Sequence, residues 1–171
     1  MATQQLELQI SPKRFNPVYL KHLIHNTYRY QIVFGGASSG KSYALAQRVV
    51  LDVLGGEHNY LVVRNVARTL RQSCFNEIAK AIIEFGVSRY FAINKSDMVI
   101  TCRLNRKQIL FAGLDDTEKI KSITPQDGVI TDVWVEEATE CERNAVKQLD
   151  KRLRGRSSVT KRLTLSFNPI L

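Results

Sequence analysis

An α/β domain built around a mainly parallel sheet is the fold class the sequence predicts, and three observations predict it. Strand and helix signals alternate from about residue 29 onward, the pattern left by parallel strands joined through crossover helices. A glycine turn from Gly35 to Gly40 separates the first apolar run from a helical one. At 171 residues and 44% hydrophobic, the chain can bury one sizeable core and is too short for two ordinary domains.

The elements follow in order. Arg29 to Phe34 reads as a strand leading straight into the glycine turn, and Lys41 to Leu54 as a helix stopped by Gly55 and Gly56. Asn59 to Arg64 is a second buried strand. Thr69 begins a helix whose apolar residues Leu70, Cys74, Ile78, Ile82 and Phe85 recur every three or four positions until Gly86 ends it. That stripe is core-facing and receives no other role. Tyr90 to Gly113 predicts antiparallel strands with turns at Asn94 to Asp97 and Leu104 to Lys107, and a polar connection through Lys119 and Lys121 follows. Val129 to Val135 is the next strand. Thr139 with Glu142 three residues later fits a capping box, opening a helix with a stripe of Cys141, Ala145, Leu149 and Leu153 closed by Gly155. Lys161 to Phe167 is the last strand. The chain stops four residues later, leaving little cover for a sheet edge there, and this suggests a truncated piece of a longer protein.

Composition narrows the partners. With 25 Lys and Arg against 16 Asp and Glu, the formal charge is +9, which favours polyanions, nucleic acid among them. No apolar run approaches the roughly eighteen residues of a membrane span, and the first ten residues carry Glu7 and three glutamines where a signal peptide would be basic and then apolar. The chain reads as cytosolic. Cys74, Cys102 and Cys141 lack the spacing of a zinc or thiol-exchange motif and read as small buried residues.

Gly35, four residues, Gly40, Lys41 and Ser42 satisfy the P-loop pattern, which would arise by chance in fewer than about one chain of this length in a hundred. Backbone N–H groups across Gly35, Gly36, Ala37, Ser38, Ser39 and Gly40 would converge on phosphate oxygens, helped by the positive end of the following helix. Lys41 would neutralise the β and γ phosphates, and the Ser42 hydroxyl would be a magnesium ligand. Hydrolysis also needs a carboxylate near the metal and a group that orients water, both at the carboxyl end of a neighbouring strand. Glu136 and Glu137, directly after Val133, Trp134 and Val135, meet that demand. Glu136 is the metal-side carboxylate, acting through water, and Glu137 the water-orienting base. Ser166 to Pro169, SFNP, places a polar Ser166 and Asn168 at the end of the last strand, although by spacing alone this is only a turn closed by Pro169.

Together these segments resemble the large terminase subunit of tailed bacteriophages, the PBSX-like group in particular. The resemblance is carried by FNPVYLKHL, YQIVFGGASSGKSYALA, YLVVRNVARTLRQS, GLDDTEKIKSI, VWVEEATE, LDKRLRG and LSFNP, in that order. It implies a three-layer P-loop NTPase sandwich of the additional-strand catalytic glutamate type, spanning residues 1–171. It also implies an ATP- and Mg2+-dependent motor that drives double-stranded DNA into a procapsid. The motor would work as a ring, a pentamer on the portal protein alongside the small terminase subunit, in the host cytoplasm. A coupling motif falls on Ser166, Phe167 and Asn168, and an adenine-side contact on Phe15, Pro17, Tyr19 or Gln31. Family members continue into a nuclease domain, for which nothing after Leu171 supplies ligands, so DNA cleavage is not expected of these residues.

One departure concerns Ala37, where similar terminases often carry Arg. The finger that stabilises the transferring phosphate would then come from elsewhere, with Arg64 or Arg68 favoured over Arg71, Lys119 and Lys121. Eight basic residues between Arg143 and Arg162 against a single acidic one, Asp150, and the turn at Arg103, Arg106 and Lys107 are two surfaces suited to phosphate contact. A DNA helicase or recombination ATPase is the alternative that would share the nucleotide site. A small-molecule kinase or a non-catalytic nucleotide-binding module would share it too.

Overall fold

The computed structural model describes residues 7–169. Its strands are β1 (Tyr30–Phe34), β2 (Tyr60–Arg64), β3 (Phe91–Asn94), β4 (Val99–Cys102), β5 (Gln108–Gly113), β6 (Asp132–Glu136) and β7 (Arg162–Phe167). They form one sheet in the order β1-β7-β6-β2-β5-β4-β3. The first five in that order run parallel, and β4 and β3 extend the sheet antiparallel beyond β5. The helices are α1 (Pro17–Tyr19), α2 (Lys41–Gly55), α3 (Ala67–Leu70), α4 (Asn76–Glu84), α5 (Thr117–Ser122) and α6 (Arg143–Arg152). Among the described residues, no helix is long and apolar enough to cross a membrane.

Three layers result. Every residue of β6, and all of β2 except Arg64, is buried, as expected for central parallel strands covered on both faces. Val49, Ile78 and Ile82 from α2 and α4 pack with Tyr60, Val62 and Trp134 on one face of the sheet. Ile120 from α5 and Leu149 from α6 pack with Leu61, Val63, Val133 and Val135 on the other. Gly56, at a left-handed φ of +94°, ends α2 and returns its N–H to the Val53 carbonyl, a conformation that favours glycine.

Several expected elements are corrected. The helix expected from Thr69 starts at Ala67, and it is not one continuous α-helix: a π-helical turn, Arg71–Phe75, joins α3 to α4. The polar connection after β5 contains α5, opened by Asp116, whose carboxylate accepts the Lys119 N–H at 3.0 Å. The capping box at Thr139 and Glu142 does not form. Glu137 is left-handed and starts a tight turn over Ala138–Glu140, which uses Thr139 internally, so α6 begins one turn later with Glu142 as its uncapped N-cap. Cys141 is therefore outside the helix and only half-buried, whereas Cys74 and Cys102 are buried. The last strand is not an edge: β7 lies between β1 and β6. The edge on that side of the sheet is β1, whose Tyr30, Ile32 and Phe34 are all exposed.

At the amino ends of the strands lies a buried polar network that the sequence did not announce. Arg162 donates from Nε to Asp132 and from Nη2 to Asp52, both at 2.5 Å, and from Nη2 to the Tyr60 hydroxyl at 3.0 Å. His58 Nδ1 lies 2.6 Å from the second Asp132 oxygen, which also accepts the Thr131 hydroxyl at 2.6 Å. Burial alone would raise the Asp132 pKa. The His58 hydrogen bond and the Arg162 charge outweigh it and hold the carboxyl below its usual range. Ligand-type atoms of Asp52, His58 and Asp132 converge within 4.8 Å, but the Arg162 guanidinium already bridges the two carboxylates.

Candidate nucleotide site

The parallel register brings four strand ends together. Phe34 pairs with Phe167, Ser166 with Glu136, and Val135 with Val63, so the loop after β1, the tail of β7, the acidic pair after β6 and Arg64 of β2 share one edge of the sheet. This is the carboxyl edge, where open α/β sheets hold ligands.

The glycine loop is built for close backbone approach. Ser38 and Gly40 have φ of +64° and +78°, and the Ser39 N–H donates to the Gly36 carbonyl at 3.2 Å. A Cβ on Gly35 would come within 2.9 Å of Ser39 Oγ, so the tight curl of the loop depends on the missing side chain there. Ala37 is exposed at the loop's tip and carries no charge. Ser39 Oγ is buried with no hydrogen-bond partner among the described residues. Lys41 opens α2 and is only 7% exposed. Its ammonium donates to Asn168 Oδ1, a neutral amide, across a separation of 127 residues. Ser42 follows in the first turn, half-buried. An orphaned hydroxyl and a buried cation facing only an amide form a donor set that suits a polyphosphate.

Glu136 ends β6 and is 6% exposed. Its Oε2 accepts a hydrogen bond from Cys74 Sγ at 2.9 Å and lies 3.9 Å from Arg64 Nε. Burial first, and then the Glu136 charge, push the Cys74 thiol well above its ordinary pKa, so it stays protonated and donates. Glu137 is held left-handed at φ 52°, ψ 50°, unusual for a residue with a side chain, and its carbonyl accepts the Glu140 N–H at 2.9 Å. The turn sends Glu137 out of the strand direction and leaves it half-buried beside Glu136.

The other predicted residues separate. Ser166 is fully buried, accepting from Trp134 Nε1 at 2.9 Å, while Asn168 reaches Lys41. Arg64 is half-buried against Glu136, whereas Arg68 is exposed on α3. Of the adenine-side residues, Tyr19 touches the loop, its hydroxyl donating to the Ser39 carbonyl at 3.2 Å. Phe15 packs against Phe85, 5.6 Å between ring centres, and Gln31 is occupied by Arg48 at 2.5 Å; Pro17 begins α1 at the surface. Sequence reasoning missed Cys74, because its place in an apolar stripe signals only burial.

A glycine loop between β1 and α2, a buried Lys41 and paired glutamates at the end of β6 define a P-loop nucleotide triphosphatase fold. The family model described as phage terminase large subunit matches residues 27–171, and the chain belongs to that family. The PBSX phage terminase large subunit of Bacillus subtilis (strain 168) is 32% identical over 142 residues, 83% of this chain and 32% of that protein. The chain thus spans about a third of that relative's length. The large terminase ATPase domain of a Thermus phage shares the fold with a TM-score of 0.68 at 14% identity, covering 96% of this chain and 72% of that one. The large terminase of a thermophilic bacteriophage, solved in complex with ADP, has a TM-score of 0.56 at 19% identity, covering 81% of this chain and 33% of that one.

Proposed function

We propose that these residues are the ATPase motor domain of a DNA-packaging terminase, hydrolysing ATP to translocate double-stranded viral DNA into a procapsid. The observation that carries the reading is the edge itself. A buried Lys41 with only an amide partner and an orphaned Ser39 hydroxyl share it with two glutamates, in a chain of the terminase family.

The loop N–H groups and Lys41 bind the triphosphate, and Lys41 exchanges Asn168 Oδ1 for phosphate oxygens as it does so. Ser42, with Glu136 acting through water, would hold Mg2+, which would offset charge on the β and γ phosphates. Glu137 orients the attacking water. Arg64, beside Glu136, supplies positive charge within the subunit that Ala37 does not, and the exposed Arg68 is free to reach a neighbouring one. Asn168, released from Lys41, and Ser166, tied to Trp134 in the adjacent strand, pass the event into β7 and β6. Of the basic stretch, the exposed Arg143, Lys147, Lys151, Arg154 and Arg156 grip DNA phosphates without reading bases, while Arg162 is buried in the amino-end network and takes no part.

Residues 1–171 act as an ATPase domain, and the nuclease activity of the family is not assigned to them. The motor acts in the host cytoplasm, as a ring of five on the portal protein with the small terminase subunit. The expected outcome for Lys41→Ala is loss of ATP binding. Glu137→Gln retains binding and loses at least about a hundredfold in turnover, read by equilibrium binding of a fluorescent ATP analogue and by phosphate release. Full turnover in the Glu137 variant would remove it as the base.

A further inference from the structure

We infer that Cys74 is a positioning residue for the proposed reaction: its thiol fixes the Glu136 carboxylate in the orientation that receives the divalent cation. The inference rests on the reading of Glu136 as the metal-side carboxylate.

Cys74 belongs to the π-helical turn Arg71–Phe75. Such turns add a residue to a helical repeat, rotate the following side chains and recur at functional sites. Here the turn joins α3 to α4 and sets Sγ 2.9 Å from Glu136 Oε2, linking positions 62 residues apart. Cys74 is 0% exposed, so no solvent competes for the thiol.

The carboxylate has few other restraints. Arg64 Nε, at 3.9 Å, is beyond hydrogen-bond distance, so the thiol is the sole side-chain hydrogen-bond donor to Glu136 among the described residues. Both contacts fall on Oε2, and Oε1 has no hydrogen-bond or ion-pair partner among the described residues, so its lone pairs are uncommitted. An ammonium or guanidinium in the position of the thiol would compete electrostatically with that cation. A thiol orients the carboxylate without adding charge, as the outer partners of metal ligands do.

The test measures cation affinity without turnover. Mn2+ is titrated by electron paramagnetic resonance into the full chain saturated with a non-hydrolysable ATP analogue, and affinity for the analogue is measured separately without metal. Cys74→Ala is expected to weaken Mn2+ binding about tenfold and to leave metal-free nucleotide affinity unchanged. Cys74→Ser, which restores a donor, should recover most of the loss, whereas Cys74→Val, which fills the volume without one, should not. Unaltered Mn2+ affinity in the Ala and Val variants, or a Ser variant as weak as Val, would overturn the inference. Glu136→Gln separates the two readings. If it weakens Mn2+ binding while Cys74→Val does not, only the role of Cys74 fails; if it has no effect, the assignment of Glu136 fails with it.

Discussion

The two ends of the sheet bury charge in opposite ways. At the amino ends, Arg162 meets Asp132, Asp52 and Tyr60, and Asp132 also takes His58 and Thr131, so the guanidinium and both carboxylates each have an opposite charge at 2.5 Å. At the carboxyl ends, Lys41 meets only an amide, Glu136 a thiol and a distant guanidinium, and Ser39 Oγ nothing among the described residues. Both ends belong to the same strands, since Asp132 and Glu136 begin and end β6, and Arg162 begins β7 just before Ser166 and Asn168. The contrast separates structure from function. A satisfied network holds strands in register, and an under-satisfied one keeps its bonding capacity for a ligand.

The strongest way to break this comparison is to remove Arg162. Buried ion pairs are not in themselves strong stabilisers, but truncating one partner strands the others without water or countercharge. Arg162→Ala is expected to lose about 3–5 kcal/mol in urea unfolding. A loss under about 1 kcal/mol would mean that the amino-end network matters no more than a surface pair.

A smaller effect should appear in the pH dependence. Asp132 has a folded-state pKa below its unfolded value, so its contribution to stability is fully present above the unfolded value, about pH 4, and is lost as pH falls through the lower folded one. Urea midpoints measured between neutrality and pH 2 should therefore fall in acid for the native chain. Asp132→Asn should start less stable by about 1–3 kcal/mol and show a flatter acid branch. Parallel curves for the two proteins would show that Asp132 is not the group being titrated.

Sequence made the carboxyl end legible and left the amino end dark. Gly35, Gly40, Lys41 and Ser42 are contiguous, so their chemistry can be read from spacing, and Glu136 and Glu137 follow directly on an apolar run. The mainly parallel sheet was legible for the same reason: β2 and β6 are short strands with apolar centres, Leu61 to Val63 and Val133 to Val135, set between turn signals. By contrast, Asp52, His58, Asp132 and Arg162 meet across as many as 110 residues with no shared motif. Cys74 and Glu136 meet across 62, through a π-helical turn that periodicity does not announce. Thr139 misled for a physical reason. A capping box is a local pattern, and the left-handed Glu137 before it took the residue into a tighter turn. Arg64 and Arg68 look alike in sequence and are distinguished only by the sheet edge on which Arg64 ends β2.

The smallest expected effect sharpens the comparison most. Lys41, like Arg162, is a buried cation, but its ammonium has a single neutral acceptor among the described residues in place of an opposite charge. Replacing it with methionine keeps most of the stem's packing and removes the desolvation penalty of the charge, while Asn168 Oδ1 is left to solvent at the half-buried tail of β7. The two changes oppose each other, so Lys41→Met should alter urea stability by no more than about 1 kcal/mol in either direction while abolishing ATP binding. If Lys41→Met were instead destabilised as severely as Arg162→Ala, the Lys41–Asn168 contact would be part of the scaffold, and phosphate would have to displace a structural bond in order to bind. Stability measured beside nucleotide affinity on the one variant separates these cases, because only a cation held in reserve for a ligand can be removed with large loss of binding and almost none of folding.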